Sequence, residues 1–230
     1  MGLLRLMEQT LQEPQRAWIR RQLETPGAIL IEPWLDRLLD FSCQFEMEQE
    51  GLRRKGFVRM INDARGQYQS SIHSRSATRG WPTELARFVH GSSGNRMKLL
   101  FEGLRAFLEP RLAEARFRGP IGVDAMIFRE PGGTLRLKPV VEINPRYTMG
   151  RLLIELMRQA KPGCTGRLDL VNRAALRRLG HDSFASYAAA LREQAPPRFH
   201  AEGPRRLRGG AVCLNDPAEA TQVLAVFSVD

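Results

Sequence analysis

Two short stretches of the chain hold residues able to do chemistry together, "GPIGVDAMIF" at 119–128 and "VVEINPRYTMG" at 140–150. The second has the apolar residues of a strand, yet Glu142 and Asn144 interrupt it two residues apart and Arg146 follows. Burying a carboxylate without a partner costs several kcal/mol, so such a pattern needs a reason. Side chains alternate faces along a strand, which puts Lys138, Val140, Glu142 and Asn144 on one side and Asp124 with Gly122, Met126 and Phe128. Glu130-Pro-Gly-Gly-Thr134 joins the two strands as a hairpin. A three-residue turn centred on Gly133 sets Asp124 opposite Glu142; a two-residue turn at Gly132-Gly133 sets them on opposite faces. The chemistry favours the first.

In that register Asp124, Glu142 and Asn144 bring three oxygen-bearing side chains to one patch. Two facing carboxylates repel unless a cation lies between them. A small set of oxygen donors suits Mg²⁺, with Mn²⁺ as the alternative, because Mg²⁺ keeps several waters and takes phosphate oxygens. The competing account is an ordinary strand ion pair of Glu142 with Lys138 or Arg146, Asp124 being solvated on an open face. Nothing suits zinc, since His73, His90, His181 and His200 have no ligand spacing.

These strands need elements to hold them. Residues 3–24 read as two short helices, Pro14 fitting the first turn of the second, and Pro26 and Gly27 end it. A strand is expected over 28–31. Residues 39–48 and 56–62 read as paired strands across "QEGLRRK", and the polar segment 64–80 as a loop. A helical face runs through 94–116 on Met97, Leu99, Leu100, Leu104, Phe107, Leu108 and Leu112. Thr148 can cap a helix to about Gln159, and shorter helices follow near 167–179 and 183–194. An arginine- and proline-rich connector, 195–209, leads to a strand pair bracketing Asp216–Ala220. The fold class is α+β, with a mostly antiparallel sheet and flanking helices.

With 230 residues, 43% hydrophobic and 26% charged, the chain is long enough for one large domain or two small ones. No apolar run approaches the roughly 20 residues of a membrane span, and the start lacks the features of a secretory signal. Three scattered cysteines form neither a disulfide framework nor a metal site, which makes a reducing cytoplasm the expected compartment. A net charge of +10 favours anionic partners without choosing among them.

The segments "GAILIEPWLDRLLDFS", "GPIGVDAMIF" and "PVVEINPRYTMGRL", in that order, resemble the second half of an ATP-grasp domain, the nucleotide-binding fold of carboxylate–amine ligases. The resemblance covers residues 1–160 and implies a partial ATP-grasp nucleotide- and Mg-binding domain there; residues 161–230 lie beyond it and read, from their own pattern, as a C-terminal helical and strand cap. It implies that Asp124, Glu142 and Asn144 are the Mg²⁺ ligands and that Arg146 steadies the transferred phosphate or the substrate carboxylate. It implies further that Glu32, Pro33, Trp34 and Leu35 line an adenine slot and that Asp40 contacts the ribose. Arg65, Gln67 and Tyr68 fall where a substrate-facing segment is expected.

The function so implied is ATP- and Mg-dependent ligation: a small-molecule carboxylate is activated as an acyl phosphate and taken by an amine-type acceptor. No lysine precedes Lys55, and "MGLLRL" resembles the tail of a glycine-rich phosphate loop. The expectation is therefore a truncated chain with weak or no activity alone, completed by an N-terminal portion or as a homodimer. The alternative is a catalytically inactive nucleotide-binding or interaction module. A nucleic-acid-binding protein ranks last, for want of any recognition motif.

Overall fold

The computed structural model describes residues 10–24, 29, 31–63, 66–91, 96–201 and 205–230. The chain divides into two compact units, Met1–Asp36 and Arg37–Asp230. In the first, α1 (Glu13–Glu24) starts with Pro14 in its first turn, where a missing N–H costs nothing. The strand expected over 28–31 falls partly outside the described residues; Ile29 and residues 31–35 have no strand pairing.

The second unit is built on a nine-stranded sheet. Its strands are β1 (Asp36–Glu48), β2 (Gly51–Asn62), β3 (Tyr68–His73), β4 (Gly119–Arg129), β5 (Leu135–Asn144), β6 (Gly166–Asn172), β7 (Arg198–Phe199), β8 (Leu207–Cys213) and β9 (Val223–Val229). Their order is β5-β4-β1-β2-β3-β6-β9-β8-β7. The ladders β1–β2, β2–β3, β3–β6, β4–β5, β6–β9, β8–β9 and β7–β8 are antiparallel. Residues 161–230 thus extend the same sheet through β6.

Strict alternation in β1 explains the core. Leu39, Phe41, Cys43, Phe45 and Met47 are all buried on one face, where they meet Ile121, Val123, Ala125 and Ile127 of β4. Two helices, α2 (Thr83–His90) and α3 (Arg96–Glu114), cover that face with Leu85, Val89, Met97, Phe101 and Leu108. Phe41 packs its ring 5.5 Å from Trp81 and 6.0 Å from Phe101. Each such side chain contributes about 1.5–3 kcal/mol by leaving water. Leu99 and Phe107, on the helical stripe read from the sequence, are exposed.

The opposite face of β1 is polar: Asp40, Ser42, Gln44, Glu46 and Glu48. Over it lies α4 (Met149–Leu156), capped by Thr148, whose hydroxyl accepts from Arg151 N at 3.1 Å. Leu153 carries α4 into a second cluster with Val58, Leu168 and Phe227. A third holds α5 (Arg173–Arg178) and α6 (Phe184–Gln194) through Leu176, Phe184 and Ala188 against Val171 and Leu224.

Several elements differ from the sequence expectation, among them α2, which it lacks, and β7 with the start of β8 inside the expected connector 195–209. The segment 64–80 is not a loop throughout, because Tyr68–His73 forms β3, inside the sheet between β2 and β6. Its Ser70 and Ser71 are fully buried, so hydroxyls stand where aliphatics would have announced a strand. The first half of 167–179 is β6, not helix; Asn172 ends the strand and caps α5 by accepting from Ala175 N at 2.8 Å. The connector "QEGLRRK" shrinks to a turn at Gln49-Glu50, the rest being strand.

Candidate functional site

The hairpin β4–β5 pairs Asp124 directly with Glu142, and Gly122 with Asn144. The route to that pairing is not a turn centred on Gly133. Glu130 N donates to Thr134 O at 2.9 Å and Gly133 N to Glu130 O at 2.8 Å, and Arg129 pairs with Leu135, which centres the turn on Gly132. Continued unchanged, this register would set Asp124 opposite Val140. Between Asp124 and Met126 the register shifts by two, from Met126↔Lys138 to Asp124↔Glu142, with Pro139–Val141 opposite Ala125. Proline has no N–H for the ladder, so an irregularity there forfeits little. A shift of two keeps the paired residues on either side of it on their faces, while Val140, inside the irregularity, packs against the apolar cluster.

The two ends of the polar patch are set by tight local structure. Beyond Asn144, the Arg146 N–H donates to Asn144 O at 2.8 Å, closing a turn around Pro145. The turn brings Arg146 back, and its Nη2 donates to Asn144 Oδ1 at 3.1 Å. Asn144, buried, donates through Nδ2 to Asp124 Oδ2 at 3.2 Å. Burial pushes the Asp124 carboxyl above its ordinary range. The Ser42 hydrogen bond opposes that push, Glu142 adds to it, Arg146 opposes it and Asp40 adds to it.

Asp40 therefore belongs to the same patch, from β1 across β4. Its Oδ2 accepts from Arg37 Nη1 at 3.1 Å and Asn62 Nδ2 at 2.8 Å. Nearby, the β2–β3 turn is closed by Asp63, whose carboxylate accepts from Gln67 N at 2.9 Å. Gln67 is exposed, whereas Tyr68 is half-buried and its phenol donates to Ser71 Oγ at 3.0 Å. Burial raises that phenol to about 12. Arg65 lies outside the described residues. Glu32, Pro33, Trp34 and Leu35 belong to the first unit; the first three are exposed and Leu35 is half-buried.

The structure adds three side chains that motif reasoning did not place in the site: Ser42, Gln44 and, beyond its cap, Thr148. Thr148 Oγ1 donates to Gln44 Oε1 at 2.8 Å, and Gln44 Nε2 donates to Ser42 Oγ at 2.7 Å. Ser42 and Gln44 lie two and four residues past Asp40, alternating with the apolar Phe41, Cys43 and Phe45, a parity signal present in the sequence. Farther along, Arg151 is buried between Glu46 at 2.5 Å and Glu155 at 2.8 Å.

Chemically, the facing pair and Asn144 offer two carboxylates and one amide oxygen, hard donors that fit a small divalent cation, while the third carboxylate of the patch, Asp40, is engaged by Arg37 and Asn62. The raised Asp124 carboxyl is what such an ion would relieve. Among the described residues no group of three or more His, Cys, Asp or Glu is arranged to hold a metal ion. The set here relies on Asn144 for its third oxygen. No helix among the described residues is long and apolar enough to cross a membrane.

No protein-family model matches the chain, and no curated protein matches it. Solved structures similar to it include the biotin carboxylase domain of a single-chain bacterial carboxylase, at 12% identity and TM-score 0.46, covering 94% of this chain and 47% of that one. N5-carboxyaminoimidazole ribonucleotide synthetase in its ADP complex matches at 10% identity and TM-score 0.47, over 95% and 52%. A protein assigned to the ATP-grasp superfamily from Archaeoglobus fulgidus matches at 13% identity and TM-score 0.36, over 76% and 46%. The chain spans about half the length of these structures.

Proposed function

We propose that the chain is an ATP-grasp-type, ATP- and Mg-dependent carboxylate–amine ligase, with residues 1–160 carrying its nucleotide and metal site. The observation that carries this reading is the direct pairing of Asp124 with Glu142, flanked by Asn144 and Arg146. The motif resemblance of those residues supplies the reaction class. Asp124, Glu142 and Asn144 would hold Mg²⁺, which when bound neutralises phosphate oxygens.

The chain's own residues then do the positioning. Arg146, anchored on Asn144, presents a guanidinium to the transferred phosphate or the substrate carboxylate. The resemblance assigns Glu32, Pro33, Trp34 and Leu35 to the adenine and Asp40 to the ribose. Arg65, Gln67 and Tyr68 belong to the acceptor side. The carboxylate substrate attacks the γ-phosphorus of ATP, giving an acyl phosphate and ADP. An amine-type nucleophile then displaces inorganic phosphate and forms the amide.

Calorimetric titration with Mg-ATP, followed by a screen for ADP and phosphate release with small carboxylates and amines, tests the proposal. Binding should weaken at least tenfold in Asp124→Asn and Glu142→Gln. Nucleotide binding without release across the screen would favour a binding module. No binding, or binding indifferent to both substitutions, would sink the reading.

A further inference from the structure

We infer that the β7–β8 edge is an interaction surface for single-stranded nucleic acid, its phosphates held by Arg198, Arg205, Arg206 and Arg208. This edge lies at the far end of the sheet from the acidic pair, and the strands between β4 and β8 separate the two by roughly 30 Å. Three segments bring the cations together. In the hairpin, Arg198 pairs with Gly209 and Phe199 with Leu207, and His200 N donates to Arg206 O at 2.8 Å. The chain ahead of β6 joins them, since Ala160 bridges to Leu207 and Lys161 N donates to Leu207 O at 2.8 Å. Leu207 turns into the core, whereas Lys161, Arg198, Arg205 and Arg208 are exposed and Arg206 is half-buried.

The charge there lacks a counterpart. Residues 194–215 hold four arginines and a single carboxylate, Glu202, which lies outside the described residues. Among the described residues no carboxylate is within 4.0 Å of Arg198, Arg205, Arg206 or Arg208. Arg37, Arg129, Arg136 and Arg167 of the same unit each have one, at 3.1, 3.2, 3.0 and 2.8 Å. Guanidiniums gathered without acids repel one another, and an anion lying along them removes that repulsion.

The geometry selects the kind of anion. A guanidinium offers paired N–H donors that match two oxygens of one phosphate. The Arg205 guanidinium lies over the Phe199 ring, 4.3 Å from its centroid, a flat cation whose outer face can carry a base. Opposite Arg198, Gly209 has no side chain, and a Cβ there would collide with Arg198 Nη2; the gap gives that guanidinium its place across the hairpin. An acidic peptide added as a further strand fits less well. β7 has only two residues, and Pro196 and Pro197 ahead of it have no N–H to donate.

The test is fluorescence anisotropy of a labelled oligodeoxythymidine of about 16 nucleotides, titrated with the full chain. Four phosphates held by arginines give log affinity a slope of about −3 on log salt, so affinity should fall about fiftyfold between roughly 50 and 200 mM salt. Arg198→Gln, Arg205→Gln and Arg208→Gln, all at exposed positions, should each flatten that slope by about 0.7. Phe199→Ala should weaken binding about tenfold with the slope unchanged, because it removes a stack and no charge. Arg205→Lys keeps both the charge and the aromatic ring and should also weaken binding without changing the slope, which keeps the stacking arm readable if Phe199→Ala disturbs the hairpin. Arg136→Gln, at the other end of the sheet, should leave binding as it is.

No binding at the lowest salt, or a slope that Arg136→Gln flattens as much as the hairpin variants do, overturns the inference. Unlabelled polyglutamate that displaces the probe as well as unlabelled oligonucleotide does assigns the surface to an acidic peptide and overturns it too.

Discussion

Replacing Gly150 with alanine should destabilise the second unit, although alanine is the better helix former. The added Cβ would lie 2.6 Å from Val58 Cγ2 and 3.0 Å from Gln44 Nε2. Neither neighbour can yield easily: Val58 is 1% exposed in a central strand, and Gln44 is tied to Thr148 and Ser42. Overpacking of this kind costs about 1–3 kcal/mol. The helix-propensity gain of Gly→Ala returns at most about 1 kcal/mol, less in a first turn. The net expectation is a loss of roughly 1–2 kcal/mol, which in a chain of this size lowers Tm by about 2–8 °C. Urea unfolding followed by far-UV circular dichroism and calorimetric melting measures it. Gly132→Ala is the control, since nothing lies within 4 Å of its added carbon. If Gly150→Ala unfolds at the wild-type urea midpoint or above it, α4 is not seated on β1 and β2 as described.

Tyr68 gives a pH test. Its phenol is raised to about 12 by burial, above the ordinary value of 10, so the folded state holds that proton longer. Stability from this group is complete below pH 10 and is lost as pH rises toward 12; Tyr68→Phe should flatten that fall at a cost near 1 kcal/mol at pH 7 for the lost Ser71 bond. Arg151→Met should cost about 1–3 kcal/mol, less than a fully buried pair. Glu46 keeps Lys55 at 3.7 Å and Glu155 keeps Arg158 at 3.0 Å; an equilibrium urea titration decides, and an unchanged midpoint refutes it. The Cys43 thiol, buried and pushed well above its ordinary range, should resist an aromatic disulfide reagent until the chain unfolds. Mass mapping of labelled peptides at rising urea checks this.

The strands that advertise themselves are those with one apolar and one polar face. β1 was legible because five alternate positions are apolar, and Asp124 and Glu142 were legible because carboxylates inside apolar runs need a reason. β3 was not, since Ser70 and Ser71 fill buried positions with hydroxyls. β6 reads as helix because Leu168 and Val171 stand three apart, a helical spacing that breaks a strand's alternation, and Asn172 is recognised as a cap only in the structure. The Asp124–Glu142 pairing was expected from chemistry, yet by the wrong turn. A register shift at a proline depends on hydrogen bonds that no local pattern encodes. The parity of β1 puts Gln44 on its polar face, but a lone glutamine there carries no motif. Only its partners, Thr148 and Ser42, 104 and 2 residues away, give it a role.

The irregularity in β5 has a second effect, on solubility. β5 is the outermost strand at its end of the sheet, and Val141 and Ile143 on it are 41% and 40% exposed. A straight, apolar border strand is a template on which another extended chain can grow, the first step toward fibrils. Here Pro139 removes a donor and the two-residue shift breaks the spacing of the rest. Arg136, Lys138 and Glu142 add charge along the same strand. The kink that aligns the two carboxylates therefore also denies a newcomer a continuous row of partners.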